Sequence, residues 1–496
     1  MSDLLKKIDF GNEAADDIDS EELDKFFIVQ PLFNKFLDPK NRILVATGKK
    51  GIGKSALLKW TKYNVSKSDR KAIVINARGA DLVRQRFHLN TPLQTPNDYI
   101  RDWMVRICSL VNRTLASYFK IALTDDKITL IECAEIEGYK SRNLVGCLID
   151  RFHKKGILST EKKTIKDELE ILKRTTEKKL WIFIDDLDAT FQTTREALLE
   201  LATFFSACRY LTQDLNDIHF RITMRTDVWS VIRRFDESLD KMDQYVNDIL
   251  WYQSDFRKLL SKRIESQINQ LNYPINKPKK FFSTEEKDEY FINHIFVPKM
   301  EWGDKNIYTY KVLYTLSYER PRWFIQLCKL SQERATRLQS NKINRTHIND
   351  IWGEYGKKRI DDLISEHKHQ CDQIEELLNS FRGCNRLLTR GELFKWINNR
   401  ILTHLTPVIE GEQVPNNRDV ARFLFKIGFI VARSDNEDGE HYEHYSFDQM
   451  TDFLSSRTDD DFSVKWEIHP CYREALDIKK INRSHRARFE RLRKDK

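Results

Sequence analysis

Residues 48–55 read Gly-Lys-Lys-Gly-Ile-Gly-Lys-Ser, and this octapeptide restricts the fold more than any other part of the chain. It meets Gly-x-x-x-x-Gly-Lys-Ser at every fixed position. Before it, Arg42-Ile43-Leu44-Val45-Ala46-Thr47 is a short apolar run suited to a buried strand; after it, Ala56-Leu57-Leu58-Lys59-Trp60 starts a helical pattern. Strand, glycine turn and helix in that order predict a parallel α/β sheet with the loop at the C-terminal edge of its strands. Gly48, Gly51 and Gly53 let backbone N–H groups from Lys49, Lys50 and Ile52 through to Ala56 turn inward on phosphate oxygens, where the helix N-terminus adds favourable charge. In such a loop Lys54 meets the β- and γ-phosphates of ATP, and the Ser55 hydroxyl completes a Mg²⁺ shell. Motif and flanks together outweigh the alternative, a chance glycine turn.

A second element follows about 130 residues later. Lys179-Leu180-Trp181-Ile182-Phe183-Ile184 is apolar and β-prone, and ends in Asp185-Asp186-Leu187-Asp188. Acids at the end of a buried parallel strand lie beside the phosphate loop, where the metal must be held, so Asp185 is the expected metal-shell residue, acting through water. The alternative is an acidic cap on a following helix; Asp188 has the weakest claim to the chemistry and the strongest to such capping. A third strand, His219-Phe220-Arg221-Ile222-Thr223-Met224-Arg225, alternates polar and apolar residues. An arginine at its end, Arg225, is placed to reach the γ-phosphate and report its presence, since a bidentate contact is lost when that phosphate leaves. A surface arginine starting the helix 227–235 is the alternative.

These elements in this order resemble the STAND branch of P-loop ATPases, neighbours of AAA+, and the Asp-Asp-Leu-Asp form is similar to that of the KAP group. More narrowly, the chain resembles a bacterial P-loop ATPase family with a recurring Arg-x-Asp-x-Trp and Asp-Glu-Ser-Leu-Asp-Lys. Here these are Arg225-Thr226-Asp227-Val228-Trp229 and Asp236-Glu237-Ser238-Leu239-Asp240-Lys241, and the resemblance runs from about Phe26 onward. It implies that Asp186 orients the attacking water. It also implies a helical lid over the nucleotide, with a basic residue at a helix start on the phosphates: Arg322, or less well Arg320, against a plain surface arginine. A winged-helix histidine contacts a bound diphosphate in such switches. His469 holds that place, though Pro470 departs from the better-known Met-His-Asp pattern, and a core-edge histidine is the competing reading. The resemblance further implies defence against phage or a mobile-element system.

At 496 residues the chain has room for two to four domains. Its eight cysteines are scattered without a Cys-x-x-Cys pair, as in a reducing cytosol. His367, His369 and Cys371, with Cys384, are the only metal-like spacing, and a solvated helix explains them better. No apolar run approaches ~18 residues and no signal pattern opens the chain, so a cytoplasmic protein without a membrane partner is expected. The net charge of +9 is concentrated at one end: residues 479–496 hold nine Lys or Arg against two acids, a net of +7. Such a tail suits phosphate backbones of nucleic acid, or an acidic partner, or is merely solvated.

The predicted organisation is an acidic segment (1–25) without a core of its own, an α/β P-loop NTPase domain (26–251) with helices on both faces of its sheet and a helical insertion (about 78–178), a helical lid domain (252–380), a winged-helix domain (381–478) and the basic tail. The insertion is read from helical periodicity at 99–119 and 164–173, with Trp103, Ile107, Leu110 and Val111 as a buried stripe. Trp251 is expected to close the final strand. The winged helix is read from helices at 389–397 and 417–426, a stop at Gly428, a strand at 429–432, a wing turn at 434–439 and a return strand at 442–447. Its second helix sets Arg418, Arg422 and Lys426 against Asp419, a pattern closer to intramolecular packing than to groove reading. Two functions follow: a slowly hydrolysing, self-associating ATP switch whose effector is a partner protein, or an initiator- or loader-type ATPase bound to DNA through the winged helix and tail.

Overall fold

The computed structural model describes residues 2–479 except 70–71, 85–92, 94, 119–178, 190, 192–193, 215–216, 236, 304, 415, 436–441 and 456–463. The predicted helix at 164–173, the wing-turn residues 436–439, Asp236 and the tail beyond residue 479 therefore lie outside the described residues. The chain divides into two compact units: Gly11–Lys262 with Arg320–Arg322, and residues 2–10 with Arg263–Glu319 and the chain from Trp323 onward.

The first unit is built on five parallel strands, β1 (Ile43–Thr47), β2 (Ile73–Arg78), β3 (Leu180–Asp185), β4 (Ile218–Met224) and β5 (Val246–Asp248), in the order β2-β3-β4-β1-β5. β1 and β4 are buried throughout, as expected of strands covered on both faces. The alternation in β4 is thus not an inside–outside pattern. Its polar residues meet a second layer: Arg221 donates to the carbonyls of Phe36 (2.7 Å), Asn41 (2.8 Å) and Asp38 (3.0 Å) and lies 4.6 Å from the Trp181 ring. This staples the chain ahead of β1 to the sheet. On the apolar side, Trp103, Ile107, Phe204 and Ile222 share one core. The helix Pro96–Tyr118 packs there on the helix Arg195–Asp214, with the Trp103 indole donating to Glu200 O (2.6 Å) and buried Arg106 paired with Glu200 (2.9 Å) and Asp102.

The acidic segment, expected to lack a core of its own, does not stand apart: residues 11–25 belong to the first unit. Ile18, Leu23 and Phe26 are buried. Asp19 caps the helix Ser20–Phe26, Asp24 accepts from the Trp60 indole (2.9 Å), and Phe27 stacks on Trp60 at 4.8 Å. Its apolar residues find their core on the phosphate-loop helix, Lys54–Ser68. Trp251 likewise does not close a strand, since β5 ends at Asp248.

The second unit contains helices (Thr284–Ile295, Thr309–Leu316, Arg345–His367), and a hairpin lies within the block expected to be almost wholly helical: β6 (Lys299–Trp302) and β7 (Lys305–Tyr308), with Gly303 at φ +64° in the turn. The winged helix then forms a sheet of β8 (Leu387–Leu388), β11 (Ile430–Asp435), β12 (Tyr442–Tyr445) and β13 (Lys465–Ile468), ordered β12-β11-β13-β8 and antiparallel; a short hairpin supplies β9 (Val408–Ile409) and β10 (Glu412–Gln413). Thr389 and Glu392 make a capping box on the helix Arg390–Ile397, and Asn416 caps the helix Asn417–Lys426. Behind that helix Gly428 takes φ +77° beneath Tyr318, whose hydroxyl would sit 2.0 Å from any added Cβ. Under the sheet, Glu467 is fully buried and accepts from His444 (2.6 Å), Arg386 (2.6 Å) and Arg473 (2.7 Å). No group of three or more His, Cys, Asp or Glu gathers around His367, His369 and Cys371, or elsewhere among the described residues, in a way that suits a metal. No described helix is long and apolar enough to cross a membrane.

Candidate nucleotide-binding site

The strand order brings the sequence motifs together. β4 lies between β1 and β3, and its register sets Ala46 beside Thr223 and Ile184 beside Ile222. The phosphate loop and the acidic turn therefore leave the same sheet edge two strand spacings apart, about 10 Å.

Gly51 (φ +79°) and Gly53 (φ +105°) hold the loop in left-handed backbone that side chains rarely adopt. Gly53 stands immediately ahead of the helix Lys54–Ser68. Lys54 is buried and donates to the carbonyls of Gly48 (2.9 Å) and Lys49 (3.2 Å), so its ammonium already lies inside the curve of the loop. Lys49, Lys50, Ser55 and Ala56 are partly exposed, whereas Ile52 is buried. A residue that the sequence misassigned completes the loop: the Trp251 indole donates to Ile52 O (2.8 Å), bracing the turn from the β5 side. On that side Asp248 also accepts a hydrogen bond from Thr47, the last residue of β1. Exposed Arg322 donates its backbone N–H to Gly51 O (3.3 Å), and buried Arg320 packs beside it. The helix start predicted to carry a phosphate-facing arginine is thus at the loop.

In the acidic turn, Asp185 accepts from the Thr223 hydroxyl (2.5 Å), and the backbone N–H of Asp186 donates to the same Thr223 oxygen (2.9 Å). Asp186 itself has φ +49°, a conformation an aspartate tolerates at a cost. Desolvation by the surrounding protein, and then the Asp185 carboxylate, raise the Asp186 carboxyl above its ordinary range against the opposing charge of Lys54, although the residue still opens to solvent. Gly79 presses on this turn from the end of β2: a Cβ there would stand 2.2 Å from Leu187 Cα and 2.5 Å from Asp186 O. Nothing local in the sequence marks Gly79, since only the approach of a distant backbone excludes a side chain. Asp188 is not a helix cap. It is buried and pairs with Arg225, Oδ2 accepting from Nε at 2.5 Å.

His469 lies in the other unit. Its ring meets Tyr318 edge-on at 4.2 Å, and Nδ1 is 3.0 Å from the Cys471 sulfur. These are the surroundings of a packed histidine.

The donors present fit a nucleoside triphosphate with Mg²⁺: a glycine cradle closed to side chains, an ammonium inside it, a hydroxyl at Ser55 and a fixed carboxylate at Asp185. A family model for a FunZ-associated C-terminal helical domain matches residues 254–364. No curated protein matches the chain. Among solved structures, similarity extends to the Aeropyrum pernix ORC2 protein in ADPNP and ADP complexes, at 12% identity and TM-score 0.42, covering 92% of this chain and 91% of that one. It extends also to the Aeropyrum pernix ORC1 protein in complex with DNA (12% identity, TM-score 0.36, 90% and 93% covered) and to the Thermotoga maritima RuvB Holliday junction branch migration motor (13%, 0.31, 68% and 76%). The fold class is an α/β P-loop NTPase domain, followed by a helical domain and a winged helix.

Proposed function

We propose that this chain is an ATP-binding, slowly hydrolysing P-loop ATPase that works as a nucleotide-controlled switch. The observation that carries the reading is the alignment of Lys54, Asp185 and Asp186 along one sheet edge, with Thr223 between the two motifs. Lys54 exchanges its loop carbonyls for the β- and γ-phosphates. Ser55 and Asp185 would hold Mg²⁺, which would neutralise phosphate charge when bound. Asp186 orients the attacking water, and Arg225 meets the phosphate that is lost.

The winged helix supports a switch over a DNA reader. Arg418 donates to Ser455 O (3.1 Å), Arg422 to Phe453 O (3.1 Å), and Lys426 pairs with Glu410. The basic side chains that would read a groove are engaged within their own domain. With the resemblance to STAND switches, this favours nucleotide-driven self-association and an effector in a partner protein, in bacterial anti-phage defence. Lys54→Ala should abolish most ATP affinity, and Asp186→Asn should keep binding while slowing turnover by about 10²-fold. Sizing the protein with ADP and then with a non-hydrolysable ATP analogue tests the switch. An unchanged oligomer together with sub-micromolar DNA binding at physiological salt would replace it with the initiator-like reading.

A further inference from the structure

Within the acidic turn, the nucleotide reading leaves buried Asp188 without a task. Asp188 is only 3% exposed, and an unpaired carboxylate so placed costs several kcal/mol. The helix it was expected to cap starts at Arg195, seven residues away. Instead Asp188 grips one residue twice: Oδ2 takes the Arg225 Nε–H at 2.5 Å, and Oδ1 takes the Arg225 backbone N–H at 3.3 Å. Asp227 stands farther from that guanidinium, at 3.9 Å.

Arg225 follows the last residue of β4, where a long side chain has many rotamers and no inherent direction. A carboxylate on Nε and on the backbone of the same residue fixes the plane of the fork. Phosphate contacts of an arginine depend on the plane in which its fork is held. Asp188 is itself held by the turn that carries the hydrolytic acids: Leu187 donates to Thr223 O (3.3 Å), Ala189 to Asp186 O (3.0 Å) and Phe191 to Asp188 O (3.1 Å).

We infer that Asp188 is the positioning residue for Arg225: it aims the guanidinium at the γ-phosphate, and so sets how strongly the site distinguishes a triphosphate from a diphosphate. This rests on the ATPase reading above. A carboxylate in the same turn as Asp185 and Asp186 ties γ-phosphate recognition to the acids that act on it.

The test compares Asp188→Asn, which keeps shape and removes charge, with Arg225→Ala, Asp188→Glu and the double variant. Fluorescent ADP and ATPγS titrations and phosphate release are measured on each. In Asp188→Asn, ADP affinity should stay within about twofold, while ATPγS affinity falls about tenfold, the scale of one charge-assisted hydrogen bond. Turnover should fall with it, Asp188→Glu should restore part of the loss, and the double variant should be no worse than Arg225→Ala, because the two residues act as one unit. An unchanged ATPγS-to-ADP ratio in Asp188→Asn, or additive losses in the double variant, overturns the proposal while leaving the ATPase reading intact. If Asp188→Asn does not fold, Arg225→Ala decides, since an unchanged ratio there removes the phosphate contact Asp188 would aim. A wild-type protein that binds neither nucleotide overturns both readings.

Discussion

Gly79→Ala is the most exacting test of how the acidic turn is built. The added methyl carbon would stand 2.2 Å from Leu187 Cα and 2.5 Å from Asp186 O. Ordinary carbon contacts start near 3.4 Å, so the turn must retreat by about 1.2 Å. Both neighbours are backbone and have no rotamer to escape into. Overpacking of this kind costs about 1–3 kcal/mol of stability. A displacement of about 1 Å at a group that orients the nucleophile costs about 10² in rate, or ~2.7 kcal/mol at the transition state. The phosphate loop leaves β1, two strands from β3, and should be little disturbed. Fluorescent ATP binding should thus remain within about threefold of wild type, while steady-state phosphate release falls by about 10²-fold and the melting temperature drops by several degrees. Gly353→Ala is the control: that helical glycine has open space around its Cβ position, so the substitution should stabilise by about 0.5–1 kcal/mol. A Gly79→Ala protein with wild-type turnover would show that Asp186 is not held by this contact, or does not orient the water.

Three further outcomes follow from the charges. If Asp186 orients the attacking water as proposed, hydrolysis needs its ionised carboxylate, whose pKa desolvation and Asp185 raise, so kcat/KM should fall on acidification through an apparent pKa above the ordinary 3.8, and Asp186→Asn should erase that limb. An acid limb at or below 3.8 would contradict the geometry. Glu467 is opposed by its burial, but Arg473, then His444 and Arg386, outweigh that and hold it well below the usual carboxylate range. Its stabilisation is present above the unfolded carboxyl pKa and is lost as pH falls towards the depressed folded value. Glu467→Gln should lower the stability of the winged helix by about 3–5 kcal/mol and flatten that acid dependence, read by circular dichroism melts across pH. Deleting residues 479–496 should leave ATP binding unchanged, with weak, salt-sensitive DNA binding before and after; tight binding that vanishes on deletion would make the tail a phosphate clamp.

The phosphate loop and the acidic strand end were legible in the chain because their chemistry is local. Glycines at fixed spacing, a lysine and serine opening a helix, and acids closing an apolar strand carry their geometry in a dozen consecutive residues. The capped helix at 389–397 and the glycine stop at Gly428 were legible for the same reason. Other features depend on residues far apart in sequence, and only the folded chain decided them. Parallel strands can be ordered several ways, and only packing set β4 between β1 and β3. Asp188 could be read as a cap until a strand end 37 residues later brought Arg225 within 2.5 Å. The β6–β7 hairpin carries only four residues a side, too few for a periodic signal to separate it from helix. Trp251 had the look of a strand residue until the carbonyl of Ile52 claimed its indole, and Gly79 gave no sign at all. Hydrogen-bond spacing along one element is written in adjacent residues, whereas the approach of two backbones is settled only when the whole sheet closes around them.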